Sequence, residues 1–157
     1  MSEDARVQVR VDLPNHPLTE SETLWARPLE DGRFEVRNVP FYAYGLNFLD
    51  LVKAREDGEG PWRITRISEP SGHRTIRLFL TEPLAPAQRG MFLLQLRGLG
   101  VALDEATDQY IAVDVPPESD WEAVRAHLDG LEKAGTLSYE TAEAREKGSF
   151  DDRYRGD

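Results

Sequence analysis

The sequence contains no cysteine, which excludes disulfides, thiolate metal sites, iron–sulfur clusters and cysteine nucleophiles together. A reducing compartment suits such a chain, and the cytoplasm is the expected location. No run approaches the ~18 consecutive apolar residues of a membrane span. The opening residues, Met1-Ser2-Glu3-Asp4-Ala5-Arg6, are acidic and polar where an export signal would be basic and then apolar. Neither insertion nor export is expected. Basic residues are few: 19 against 29 acidic, a formal charge of −10. Non-specific nucleic-acid binding draws its affinity from neutralising phosphates with Lys and Arg, so this balance argues against a nucleic-acid partner. The histidines, His16, His73 and His127, stand far apart with no second ligand at metal-binding spacing. There is no glycine-rich phosphate loop, nucleophile elbow or zinc-protease motif. No cofactor, metal or catalytic residue is therefore assigned, and a non-enzymatic role is favoured.

What is present is an ordinary globular composition. The 157 residues are 39% hydrophobic and 31% charged, enough for a packed core. The predicted fold class is α+β: a β-rich, small barrel-like N-terminal module followed by a ferredoxin-like βαββαβ module. In the first half, Val7, Val9 and Val11 alternate with polar residues, the period of a half-buried strand. Residues 23–29 and 33–39 face each other across Asp31-Gly32, a dipeptide suited to a tight hairpin turn with both central residues at positive φ. Strands are also expected over 49–55 and from Trp62 to Ile67, although Thr65 and Arg66 break strict alternation there. Short strands with tight turns and no helix predict a curved sheet or barrel over residues 1–70.

The second half changes rhythm. Ile76, Leu78 and Leu80 alternate as a strand, and Phe92, Leu93, Leu96 and Leu99 make an apolar helical stripe over 86–99. Short strands follow over 101–103 and 110–115. Ser119-Asp120-Trp121-Glu122 fits a capping box, opening a second helix whose stripe is Trp121, Val124, Leu128 and Leu131. Gly135 ends it, and 136–141 completes the order strand, helix, strand, strand, helix, strand over residues 71–142. Residues 143–157 read as a charged tail, frayed or disordered. The carboxylates Asp104, Glu105, Asp108, Asp114, Glu118, Asp120 and Glu122 fall on turns at one end of this module. They lack the calcium-loop pattern and read as a solvated rim.

The most distinctive segment runs from Asn38 to Val52, where Pro40 precedes Phe41, Tyr42 and Tyr44, and Gly45 permits a sharp exit. Such an apolar corner either plugs the barrel or offers rings to a ligand. Phe41 is expected in the core, and Tyr42 or Tyr44 at an accessible edge. The candidate binding residues are Trp25, Tyr42, Tyr44 and Asp50.

The segments Glu22-Thr23-Leu24-Trp25, Gly32 with Phe34, Asn38-Val39-Pro40-Phe41-Tyr42, Gly45, Asp50-Leu51-Val52 and Tyr110 to Pro117 resemble the bacterial domain of unknown function 4265 family over about residues 5–142. The resemblance implies bacterial origin and this division of the chain, and it carries no catalytic residue. Leu49 stands where a small residue is expected before Asp50. The reading that follows is a non-enzymatic, acidic binding or regulatory protein. Its partner is an unknown protein of basic character, such as a toxin that it neutralises. The alternatives are a small enzyme with a ligand cleft between the modules, which would collect Asp50, Tyr42 and Tyr44, and a nucleic-acid-binding module. The last rests on fold analogy alone.

Overall fold

The computed structural model describes residues 5–14 and 16–143. The expected charged tail lies outside the described residues except for Glu143. Residues 5–73 with 142 and 143 form one compact unit, and Arg74–Thr141 form a second.

The first unit is a closed five-stranded barrel. Its strands are β1 (Val7–Asp12), β2 (Ser21–Pro28), β3 (Phe34–Val36), β4 (Leu51–Arg55) and β5 (Trp62–Glu69). Neighbours are antiparallel in chain order, and β5 closes the barrel by pairing parallel with β1. The period-two pattern sends Val9, Val11, Leu24, Ala26, Val36, Val52 and Ile64 into one core. Each valine, leucine or isoleucine among them contributes roughly 1.5–3 kcal/mol by leaving water.

Three local expectations are corrected. The β2–β3 hairpin forms, but of its two central residues only Gly32 takes positive φ, at 87°. The Gly32 N–H donates to the Leu29 carbonyl at 3.1 Å, and Leu29 pairs back with Arg33. This is the longer hairpin loop with glycine in the left-handed position, not a two-residue turn. The broken alternation around Thr65 is a bulge: Lys53 faces Arg66 and Ala54 faces Ile64, so Thr65 is the extra residue of its strand. Strand β4 begins at Leu51 because the preceding residues are bent. The Leu49 N–H donates to the Val36 carbonyl, the Val36 N–H donates to the Asp50 carbonyl, and Leu49 sits at φ 68°.

The second unit is a mixed module of four strands and two helices: β6 (Arg74–Leu80), α1 (Pro86–Arg97), β7 (Ala102–Glu105), β8 (Tyr110–Val115), α2 (Trp121–Lys133) and β9 (Leu137–Thr141). The sheet order is β7-β8-β6-β9, with every neighbouring pair antiparallel. Ile76, Leu78 and Leu80 of β6, Ile111, Val113 and Val115 of β8, and Leu137 of β9 share one cluster with Phe92 and Leu96 of α1 and Val124 and Leu128 of α2. Both helices thus cover the same sheet face. The stripe residues Leu93, Leu99, Trp121 and Leu131 pack at the margin of that cluster.

The capping box at Ser119 does not form. The helix cap is Asp120, whose carboxylate accepts the Ala123 N–H at 3.1 Å. The Ser119 hydroxyl instead donates to the Gly100 carbonyl at 2.8 Å. Gly100 sits at φ 84°, where a Cβ would lie 3.0 Å from the Ser119 oxygen, so the position needs glycine on both counts. Helix α2 closes with a Schellman arrangement in which Gly135 donates to Glu132 and Thr136 to Leu131. Asp120→Ala should lower unfolding stability by about 1 kcal/mol in a denaturant melt. Ser119→Ala should leave α2 capped, and an unchanged melt for Asp120→Ala would reject this assignment.

Candidate functional site

Strand β2 alternates inward Glu22, Leu24 and Ala26 with outward Thr23 and Trp25. Glu22 therefore enters the barrel interior as a carboxylate, only 8% exposed. A buried charge is costly unless it is hydrogen-bonded, and the aromatic corner supplies the donors. The Phe41 N–H donates to Glu22 Oε2 at 2.6 Å, and the Tyr42 and Ala43 N–H groups donate to Oε1 at 3.0 and 2.9 Å. Three successive backbone donors converge on one side chain, and charge-assisted bonds of this kind are about twice as strong as neutral ones. Sequence reading passed over Glu22 as a functional group. The available signal was its parity with Leu24 and Ala26.

Asp50 performs a related task at the other end of the corner. It is 1% exposed. Its Oδ2 accepts the Asn47 N–H at 2.9 Å and its Oδ1 accepts the Ser71 N–H at 2.8 Å. The Ser71 hydroxyl donates to the Phe48 carbonyl at 2.7 Å and accepts the His73 N–H at 3.1 Å. The Phe48 and His73 rings meet edge to face at 5.5 Å. Burial pushes the Asp50 carboxyl above its ordinary value, while the Ser71 and Asn47 N–H groups pull it part of the way back. The carboxylate is spent on backbone donors.

Among the candidate residues, Tyr42 is half-buried against the barrel core, and Tyr44 is 9% exposed. Phe41, expected in the core, is also half-buried. The three N–H groups that Glu22 gathers fix the backbone of 41–43, and the side chains splay around that point. His16 joins them: its ring meets Tyr42 edge-on at 5.5 Å and lies 6.3 Å from Tyr44. Its Nδ1 accepts the Leu18 N–H at 3.0 Å, which places the proton of the neutral ring on Nε2. Trp25 points outward from β2 and is 46% exposed. It meets the corner through backbone alone, its N–H donating to Asn38 Oδ1 at 2.6 Å. The fold thus gathers His16, Tyr42 and Tyr44, and leaves Trp25 on the outer face of the barrel.

The acidic cluster does not occupy one end of the second unit. Asp104 and Glu105 on β7 and Asp108 in the following turn lie at the end where Phe79 pairs with Tyr110. Glu118, Asp120 and Glu122 lie where β8 passes into α2, and Asp114 is buried within β8. The sheet runs between the two groups. Among the described residues no group of three His, Asp or Glu side chains is placed to hold a metal ion, and no helix is long and apolar enough to cross a membrane. An open groove of about 510 Å³ beside α1 is lined by residues such as Leu84, Met91, Phe92 and Leu131. Among the described residues its lining holds no titratable side chain.

A family model described as a domain of unknown function, DUF4265, matches residues 22–139. The chain belongs to the DUF4265 family. The matched span includes Glu22, the corner and Asp50 with its Ser71 donor. The fold is similar to a solved structure described as a novel crystal structure of a hypothetical protein from Neisseria gonorrhoeae, with 19% sequence identity and a TM-score of 0.76. The match covers 90% of this chain and 97% of that one, and at that identity the likeness is one of fold. No curated protein matches the chain.

Two measurements check this account of the DUF4265 corner. Glu22→Gln sets an amide N–H against one backbone donor and should cost about 1–3 kcal/mol in a denaturant melt. A melt like that of the parent would mean that the three bonds do not hold the corner. The second concerns pH. A carboxyl whose folded pKa is raised contributes stability that is complete below its unfolded value, 3.8, and lost as pH rises through the folded value. Parent stability relative to Asp50→Asn should therefore decline as pH rises from 3.8 and then level off. A difference that stays flat or grows with pH would reject the assignment.

Proposed function

We propose that this chain is a non-catalytic binding protein whose second unit, ferredoxin-like in its βαββαβ order, turns an acidic surface toward a basic protein. The observation that carries this reading is the acidic excess of that unit. Residues 74–141 hold eleven carboxylates against six basic side chains. Among these, Asp114 and Arg77 are buried, the Arg77 Nε donating to Glu140 at 3.1 Å, and Arg89 is engaged by Glu105. Residues 5–73 hold nine basic and eleven acidic side chains. Two of those acids, Glu22 and Asp50, are buried, which leaves the exposed side chains of residues 5–73 close to neutral. Half of the chain's formal charge of −10 therefore lies within residues 74–141, and this excess steers a basic partner and speeds its association. A basic toxin whose working surface is covered by this unit is the concrete form of the reading. The ferredoxin-like description is supported by the strand order β7-β8-β6-β9 and by the two helices sharing one cluster.

The test uses a small basic protein of known structure, immobilised, with the full chain in solution. Association should be measurable at low salt and slow steeply as salt rises. The double variant Glu118→Lys with Glu122→Lys should reduce the rate roughly tenfold or more at low salt. Association that is absent, or insensitive to both salt and charge reversal, would reject the reading.

A further inference from the structure

The sheet face of the second unit away from the helices carries a partly exposed aromatic pair. Strand register sets Phe79 of β6 directly opposite Tyr110 of β8, and their rings stack at 4.9 Å between centroids with 13° between planes. Phe79 is 39% exposed near the end of β6, an interior strand of the sheet. On its other side Phe79 faces Ser138 of β9. That exposed residue is too small to cover a ring.

The surroundings of this platform select the ligand. Asp104 of β7 is paired with Ala112, one step along the same sheet face from Tyr110. Glu82 follows the end of β6, and Asp108 lies in the turn that leads into β8; all three acids are exposed. Gln109 pins this turn by donating its side-chain amide to the Leu80 carbonyl at 3.0 Å. Two cations lie nearby: Arg77, two residues before Phe79 on the same sheet face, is fully buried and donates to Glu140 at 3.1 Å, and Arg89 is committed to the Glu105 carboxylate and, at 2.7 Å, to the Asp108 carbonyl. A stacked aromatic pair set among exposed carboxylates repels phosphate and suits a flat cation. Guanidinium is the protein group that is planar, permanently charged and weakly hydrated enough to stack on a ring while donating to carboxylates.

We propose that the Phe79–Tyr110 stack, with Asp104, Asp108 and Glu82 around it, is a seat for an arginine side chain of the basic partner. The inference rests on the acidic-binding reading above and adds a defined anchor to it. Interfaces concentrate their affinity in such aromatic–arginine contacts.

Fluorescent peptides of equal length, one of arginine and glycine and one of lysine and glycine, test it by anisotropy at physiological salt. The parent chain should bind the arginine peptide more tightly than the lysine peptide. Phe79→Ala should weaken arginine binding by roughly 3- to 30-fold, the range expected for a lost cation–π contact, and abolish the preference. Asp104→Asn, at an exposed position, should weaken it without changing the melt. Glu118→Lys with Glu122→Lys, at the far end of the sheet, should weaken both peptides equally and preserve the preference. If the parent binds both peptides and Phe79→Ala changes neither affinity nor preference, the arginine seat is wrong and the acidic-binding reading stands. If the parent binds neither, the reading and the seat fail together. Tighter binding of a single-stranded oligonucleotide than of either peptide, lost in Phe79→Ala, would overturn the arginine seat in favour of base stacking.

Discussion

The first unit depends on a carboxylate that points the wrong way for its charge. Glu22 faces inward because β2 cannot bury Leu24 and Ala26 without also burying the residue two positions before them. Once inside, the acid needs donors, and the chain supplies the three consecutive N–H groups of 41–43. This exchange sets the shape of the aromatic corner. It also leaves little freedom to the rings that follow, since their backbone is fixed before their side chains pack. Asp50 repeats the device on a smaller scale, tying Asn47 to Ser71. The corner is thus clamped at both ends by buried acids, and the left-handed Leu49 between them is tolerated at a cost of about 1–2 kcal/mol.

The two units handle charge differently. In the barrel, ion pairs such as Arg10 with Asp57 and Arg33 with Asp31 balance the outer face locally. In the second unit the carboxylates outnumber their possible partners, and repulsion among them is tolerated because they are spread over both ends of the sheet and along α2. A surface that keeps such an imbalance stores unfavourable electrostatic energy, which a cationic partner would relieve.

Much of the architecture was legible in the sequence because period and punctuation agreed. Val9 and Val11, the β6 alternation, Tyr110 to Val115 and the α2 stripe each carry an unambiguous repeat, and the structure places an element at each. The errors fell where two local rules competed. Ser119 and Asp120 are both good caps, and the choice between them was made by the Gly100 carbonyl, 19 residues away, which a local window cannot see. Thr65 broke alternation because it sits at a bulge, a feature of pairing between strands rather than of one strand. The candidate site was less legible. Trp25 and Glu22 are three residues apart, and parity sends one out and the other in. The acids at 104–108 and 118–122 are close in sequence, yet the length of β8 separates them. The Phe79–Tyr110 stack depends on a register that neither strand encodes alone.

The Gly45 N–H donates to the Ala142 carbonyl at 2.7 Å, and Ala142 belongs with the barrel although all of Arg74–Thr141 precedes it. During synthesis, strands β1 to β5 leave the ribosome well before that acceptor exists. The Gly45 N–H must wait for translation of the entire second unit before this acceptor is present. One bond of the early-made unit is thereby tied to delivery of the late-made sheet.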